Sequence, residues 1–348
     1  MTELSRNTIL HGDALTRLGE LPSASVDCVV TSPPYYMLRT YGVEGQLGLE
    51  ASVDEWVTNL VAVMREVRRV LKPSGAVWLN VSDSYSRHPR FGAPAKSLLL
   101  APERLAVALS ADSWILRNAV RWCKPNAMPS SVRDRLNTAH ETIWLLVKSR
   151  RYWFDLDAIR LPHQSSAGRK AQLPVGKPAW AGPLAGKQDG LRRERPVGQP
   201  GHWAGKNPGD WWNIPTRPFR HAHFATFPPD LVRRPILATC PEAICSACGE
   251  PWRRRITVKR IGGCGPTTRD QFVRHYNLRW TTVRQVGDFE RCACQAPTQP
   301  GVVLDPFMGA GTTAVVAREL GRDFVGIELN ADYIKLAERR LGEMRAAA

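Results

Sequence analysis

Gly301-Val302-Val303-Leu304-Asp305-Pro306-Phe307-Met308-Gly309-Ala310-Gly311-Thr312-Thr313 decides the fold class. Its first four residues are a short, valine-rich run that predicts a buried strand. Ala314 to Leu320 predicts a helix, and Phe324 to Ile327 a second strand that ends in Glu328. Strand, Gly-x-Gly loop, helix, strand, acid is the layout of a nucleoside-binding βαβ unit. Gly309 and Gly311 let a ligand approach the backbone, and Glu328 is placed to accept hydrogen bonds from two ribose hydroxyls. Ala314 stands where a dinucleotide fingerprint has its third glycine, and spacing alone leaves NAD open. Asp305-Pro306-Phe307 favours a single nucleoside, with an acid to meet a cationic amino group and a phenyl ring to pack against an adenine-sized one.

Outward from this unit, the N-terminal half repeats the alternation. Thr8 to Leu10 predicts a strand, with Asp13 at its carboxyl end; taken alone, Asp13 reads first as a helix cap. Val26 to Val30 predicts a buried strand, halted by Thr31-Ser32-Pro33-Pro34-Tyr35. Two consecutive prolines lack backbone N–H groups and disfavour helix, so the chain turns here. Ligands of open α/β sheets bind at such carboxyl-end turns. A hydroxyl, a rigid pair of carbonyls and an aromatic ring suit a flat, amino-bearing ring, which makes Ser32, Pro33, Pro34 and Tyr35 the candidate catalytic residues. Tyr36 to Glu50, glycine-rich, reads as a mobile loop beside them. Asp54 to Leu71 is an amphipathic helix by its Trp56, Leu60, Val63, Val67, Val70 spacing. Strands at 76–81, 114–122 and 142–147 and a helix at 102–111 follow, so a doubly wound, mostly parallel α/β sheet is expected.

The 348 residues carry a net charge of +16. Residues 161–218 hold nine Lys/Arg against three Asp/Glu, and residues 239–298 hold ten against five. Charge concentrated in two insert-like segments and interleaved with tryptophans points to a polyanion, foremost nucleic acid. Eighteen of the residues in 161–218 are Gly or Pro, yet Trp180, Trp203, Trp211 and Trp212 argue against a plain linker. Six of the eight cysteines fall between 240 and 294, whereas Cys28 and Cys123 read as core. Cys245-x-x-Cys248 and Cys292-x-Cys294 can supply four thiolates to one tetrahedral structural zinc, with Cys240, Cys264 or His275 as substitutes. No apolar run is long enough for a membrane span and no signal pattern opens the chain, so a cytoplasmic, nucleoid-associated protein is expected.

Together these residues resemble the amino-methyltransferases of DNA. Asp305 to Thr312 looks like their S-adenosylmethionine loop (motif I), Glu328 like the ribose-binding acid of motif II, and Asp13 like the motif III acid near the cofactor adenine. Thr31 to Tyr35 looks like catalytic motif IV. Phe224-Ala225-Thr226-Phe227-Pro228 looks like motif X, which closes over the methionine end of the cofactor. Motif IV before motif I, with the recognition insert between, is similar to the circularly permuted β group.

The motif order places a catalytic half at 1–160 and a cofactor half at 219–238 with 299–348; composition marks a basic, loop-rich recognition insert at 161–218, and the cysteine pairs mark a zinc-ribbon-like insert at 239–298. The resemblance implies double-stranded DNA as partner, no membrane, and a cognate restriction nuclease and a homodimer as further candidates. Ser32, where adenine-N6 members usually have Asp or Asn, implies cytosine N4. The Ser32 hydroxyl and Pro33 carbonyl would accept the amine's two N–H bonds, and Tyr35 would stack on a flipped base. Adenine N6, a non-catalytic DNA-binding protein and an NAD dehydrogenase are the alternatives.

Overall fold

The computed structural model describes residues 4–162, 205–217, 227–261 and 281–347. The chain forms two compact units, one of Met1–Ala158, Gly209–Arg253 and Phe289–Ala348, the other of Ile159–Pro208 and Arg254–Asp288.

The first unit is built on β1 (Thr8–His11), α1 (Ala14–Glu20), β2 (Val26–Thr31), α2 (Val53–Val70), β3 (Leu71–Val81), α3 (Ala101–Ala111), β4 (Ile115–Cys123), β5 (His140–Val147) and β6 (Trp211–Asn213). After α4 (Pro229–Thr239) and the two-residue β7 (Ile244–Cys245) come β8 (Arg253–Ile261) and β9 (Thr281–Glu290), which pair as a two-stranded sheet. The chain ends with β10 (Thr298–Gln299), β11 (Val302–Asp305), α5 (Thr312–Glu319), β12 (Asp323–Glu328) and α6 (Ala331–Ala347).

One eight-stranded sheet runs β1-β12-β11-β2-β3-β5-β4-β6. Every neighbouring pair is parallel except those made by β5, which is antiparallel to β3 and β4. The mostly parallel sheet expected from sequence is present, with β4 and β5 joined as an antiparallel pair. β2 connects through α2 to β3 on one side, and β11 connects through α5 to β12 on the other. Right-handed crossovers in opposite directions place α2 and α5 on opposite faces and leave a crevice beyond the carboxyl ends of β2 and β11.

The apolar stripe of α2 explains its docking: Trp56, Leu60, Val63 and Val67 are buried with Val29, Val77 and Leu79 of the sheet. Each such side chain contributes roughly 1.5–3 kcal/mol on burial. Ser52 caps α2 by accepting from the Glu55 N–H, and the Glu55 carboxylate accepts from Ala51 N–H. Asp27, buried in β2, accepts from Lys72 at 2.8 Å and from the Val302 N–H at 2.9 Å, locking β2 to β11 across the switch point.

Most of the 161–218 segment, with Trp180 and Trp203, lies outside the described residues, as do Phe224, Ala225, Cys264 and His275.

Candidate active site

Where β2 and β11 end side by side, one carboxylate joins them. Asp305 Oδ1 accepts from the Thr31 hydroxyl at 2.7 Å and from the Phe307 N–H at 3.1 Å, and Oδ2 accepts from the Thr313 hydroxyl at 2.7 Å. Burial pushes its carboxyl up to about 6 against these hydrogen bonds. At 1% exposure Asp305 does not line the cavity, so the expected contact with a ligand's amino group is not what holds it; it shapes the loop that follows.

That loop borders a cavity of about 1600 Å³. Ligand pockets usually measure about 300–1,000 Å³, so this one has room for a cofactor and a second planar group. Pro306, Phe307, Gly309 and Thr312 line it, with Asp13, Phe227 and Glu328. Pro228 starts α4 as its N-cap residue. Glu328 accepts from the Gly309 N–H at 2.7 Å and from the Asn330 N–H at 2.8 Å, and burial raises its carboxyl above the ordinary range. A carboxylate fixed by two backbone donors keeps lone pairs for a diol.

Asp13 is a helix cap on the cavity wall. It caps α1, accepting from the Thr16 N–H at 2.9 Å, and it faces the cavity. The two loop glycines differ. Gly309 has φ +52° and a Cβ there would meet open space, a cradle that fits a nucleoside lying against the backbone. At Gly311, φ +76°, a Cβ would sit 2.7 Å from that of Ala337, so this glycine serves the packing of α6.

Opposite lies the prolyl turn, with Ser32, Pro33, Pro34 and Tyr35 all on the cavity wall. The Trp56 indole N–H donates to the Pro34 carbonyl at 3.0 Å and pins the turn, while among the described residues nothing donates to the Pro33 carbonyl. The Ser32 hydroxyl donates to the Tyr35 hydroxyl at 2.8 Å, which donates to Glu141 Oε2 at 2.6 Å. Asn80 Nδ2 donates to both the Tyr35 oxygen, at 2.8 Å, and Glu141 Oε2, at 2.7 Å. Lys124 pairs with Glu141 Oε1.

The direction of this chain follows from donor inventory. A carboxylate paired with an ammonium only accepts, so Tyr35 must donate to it. The Tyr35 oxygen is then left to accept, and Ser32 must donate. Ser32 Oγ therefore presents lone pairs, and no proton, to the cavity. Burial, then the Glu141 charge, raise the Tyr35 phenol well above its ordinary range, so it stays protonated.

Asn80, Lys124 and Glu141 were not singled out by sequence as site residues. Glu141 sits one residue before the strand expected at 142–147, and a lone acid preceding an apolar run was the available signal. Because β5 runs antiparallel, its first residues, not its last, arrive at the carboxyl ends of the parallel strands.

The four cysteines are brought together elsewhere in this unit. Pairing of β7 with β10 sets Cys245 against Thr298, and the Ser246 N–H donates to the Pro297 carbonyl at 2.9 Å. The Sγ atoms of Cys245, Cys248, Cys292 and Cys294 lie within 4.8 Å of one another. Zn–S bonds of about 2.3 Å in a tetrahedron separate the sulfurs by about 3.8 Å, so the set fits one ion after small rotations. The Cys248 backbone N–H pulls the Cys245 thiol down to about 6, while hydrogen bonding with its neighbours raises Cys292 and pushes Cys294 up to about 12, so four thiols this close share their protons until a cation replaces them. Cys240 is fully buried and outside this group.

The profile of the N6/N4 DNA methylase family matches residues 26–245 and 291–339. The type II methyltransferase M.Cfr9I of Citrobacter freundii is 33% identical, across 97% of this chain and 89% of its own length. M.XycI of Xanthomonas campestris pv. cyanopsidis, also a type II methyltransferase, is 35% identical across 97% and 88%. The solved structure of the PvuII DNA methyltransferase (cytosine-N4-specific) has the same fold, with a TM-score of 0.56 and 18% identity over 97% of this chain and 87% of that one. Among the described residues no helix is long and apolar enough to cross a membrane. The chain thus belongs to the N6/N4 DNA methylase family, and is a site-specific DNA methyltransferase.

Proposed function

We propose that this enzyme methylates the exocyclic N4 amine of a cytosine swung out of double-stranded DNA. One observation carries the reading: the Ser32–Tyr35–Glu141 chain fixes Ser32 Oγ as an acceptor at the cavity wall. The amine of cytosine is a poor nucleophile because its lone pair is delocalised into the ring. Ser32 Oγ and the Pro33 carbonyl accept its two N–H bonds, draw the nitrogen toward tetrahedral geometry and localise that pair. S-adenosylmethionine supplies an electrophilic methyl whose leaving electron pair goes to sulfur. As the N–C bond forms, the amine proton passes to Ser32 Oγ, the Ser32 proton to Tyr35 and the Tyr35 proton to Glu141, so no charge accumulates on the base. Preorganised acceptors of this kind are worth about 10²–10³ in rate per group.

Asp13, Phe307, Gly309 and Glu328 would hold the nucleoside of the cofactor, with Phe224, Ala225, Phe227 and Pro228 closing over its methionine end. The neutral Ser32, where adenine-directed relatives carry Asp or Asn, favours cytosine over adenine. The Cys245, Cys248, Cys292, Cys294 group would hold a structural zinc, closed by four thiolates and so without an open position for chemistry. The basic stretches 161–218 and 239–298 would grip the duplex, and the type II relatives suggest a partner restriction nuclease.

Methylome sequencing of DNA from cells expressing the chain tests this reading. Signals of N4-methylcytosine within one short motif are expected. Modified adenine at that motif, or no modification, contradicts it.

A further inference from the structure

The loop between β4 and β5, residues 124–139, is long for the connection of an antiparallel pair, and loops beyond about 12–15 residues usually have work to do. Its near side forms cavity wall, through Lys124, Val132, Asp134, Arg135 and Thr138. It also exposes Met128 at 89% and Leu136 at 90%, neither of them part of the cavity wall.

Single exposed apolar residues need no explanation. This pair differs because the loop is held. The Lys124 N–H donates to the Ala139 carbonyl at 2.8 Å, closing its base. Asn137 Nδ2 donates to the Met128 carbonyl at 2.9 Å and ties the residue after Leu136 to Met128. Asp134 pairs with Lys96 at 2.8 Å, and the Arg135 guanidinium lies 3.7 Å from the centre of the Tyr85 ring. Asn126 exchanges hydrogen bonds with the Thr216 backbone at 2.8 and 2.9 Å. A braced loop that nevertheless holds its largest apolar side chains in water gains by their burial only when a partner arrives.

The chemistry of that partner is written beside them. Leu136 is preceded by Arg133 and Arg135, cations suited to phosphates, and the same loop borders the cavity that receives the base. Apolar side chains flanked by cations are how proteins enter a base stack. A base that leaves the stack leaves a gap about the thickness of one aliphatic side chain.

We propose that Leu136, backed by Met128, inserts into the duplex and fills the space vacated by the extruded base. The proposal rests on the duplex reading above. It assigns Leu136 as a positioning residue that shifts the extrusion equilibrium and takes no part in methyl transfer.

Leu136→Ala and Leu136→Met are compared with the wild type in single-turnover methylation of a duplex that the wild type modifies, and of the same duplex with the target base mispaired. Extrusion is easier for a mispaired base. The alanine variant should be slower on the matched duplex by about tenfold or more, recover the wild-type rate on the mispaired one, and lose the 2-aminopurine fluorescence that reports an open stack. The methionine variant should behave as wild type. An equal loss on both duplexes, or no loss on either, overturns the proposal. So does a change in sedimentation with unaltered kinetics, which would show that a second copy of the chain covers this surface. The nucleoside the wild type modifies is read separately, so an adenine product would refute cytosine specificity while leaving the matched-to-mispaired ratio to judge Leu136.

Discussion

Replacing Tyr35 by phenylalanine removes one oxygen and leaves the ring, and the site says what that oxygen does. It accepts from Ser32 and Asn80 and donates to Glu141. Without it Asn80 and Glu141 keep their mutual bond at 2.7 Å, and the half-buried Ser32 can turn to water, so the fold should lose only about 1–2 kcal/mol. Catalysis should lose more. A Ser32 hydroxyl released from Tyr35 can point its proton at the substrate amine, which turns an acceptor into a repulsive donor and cuts the route to Glu141. The loss of one preorganised group predicts a fall of about 10²-fold in the single-turnover rate. Cofactor affinity should hold, because Asp13, Gly309 and Glu328 are untouched. DNA affinity should hold as well, because the aromatic face remains for stacking. Tyr35→Ala should lower both rate and DNA affinity. Transfer of a radiolabelled methyl group under single-turnover conditions, with cofactor binding by calorimetry, reads all of this. A phenylalanine variant with near wild-type rate would refute the orienting role of Tyr35.

Three further outcomes follow from the geometry. Asp305 stays protonated in the folded chain up to about pH 6, whereas the unfolded chain releases its proton near 3.8, so between these values the folded state holds more protons. Stability from this group is full below pH 3.8 and falls as pH rises to 6, by about 3 kcal/mol, and Asp305→Asn should remove that slope in urea unfolding between about pH 4 and 6; parallel wild-type and variant profiles would contradict it. Gly309→Ala, at positive φ with open space ahead, should weaken S-adenosylmethionine binding and leave a folded protein, whereas Gly311→Ala, 2.7 Å from Ala337, should lower the melting temperature; the reverse pattern would show the roles misassigned. Cys248→Ser should reduce bound zinc from about one equivalent, measured by elemental analysis, and weaken DNA binding more than cofactor binding; variant and wild-type protein both free of zinc would remove the metal from the account.

Much of this was readable before any coordinates. The Gly309 loop with Glu328 and the Thr31-Ser32-Pro33-Pro34-Tyr35 turn are local signals, set by glycine freedom and by proline's missing N–H, and local signals survive in sequence. What escaped depends on pairing. Glu141 reaches Tyr35, and meets Lys124 from the end of β4, only because β5 is antiparallel and packs between β3 and β4, a choice made by the whole sheet. Asp305 illustrates the converse. Its place in the motif was legible, but whether its carboxylate faced a ligand or Thr31 and Thr313 was decided by the neighbouring strand end. The cysteine pairs were legible as pairs, and the β7–β10 pairing that joins them was not.

The account stands most directly on the identity of the methylated atom. DNA modified in vitro with labelled S-adenosylmethionine, digested to nucleosides and resolved by chromatography with mass detection, gives it in one measurement, with Ser32→Ala run beside the wild type. The account predicts label in N4-methylcytosine alone for the wild type, and a loss of about 10²-fold or more for the variant. Label in N6-methyladenine, or a Ser32→Ala enzyme as active as its parent, would contradict it.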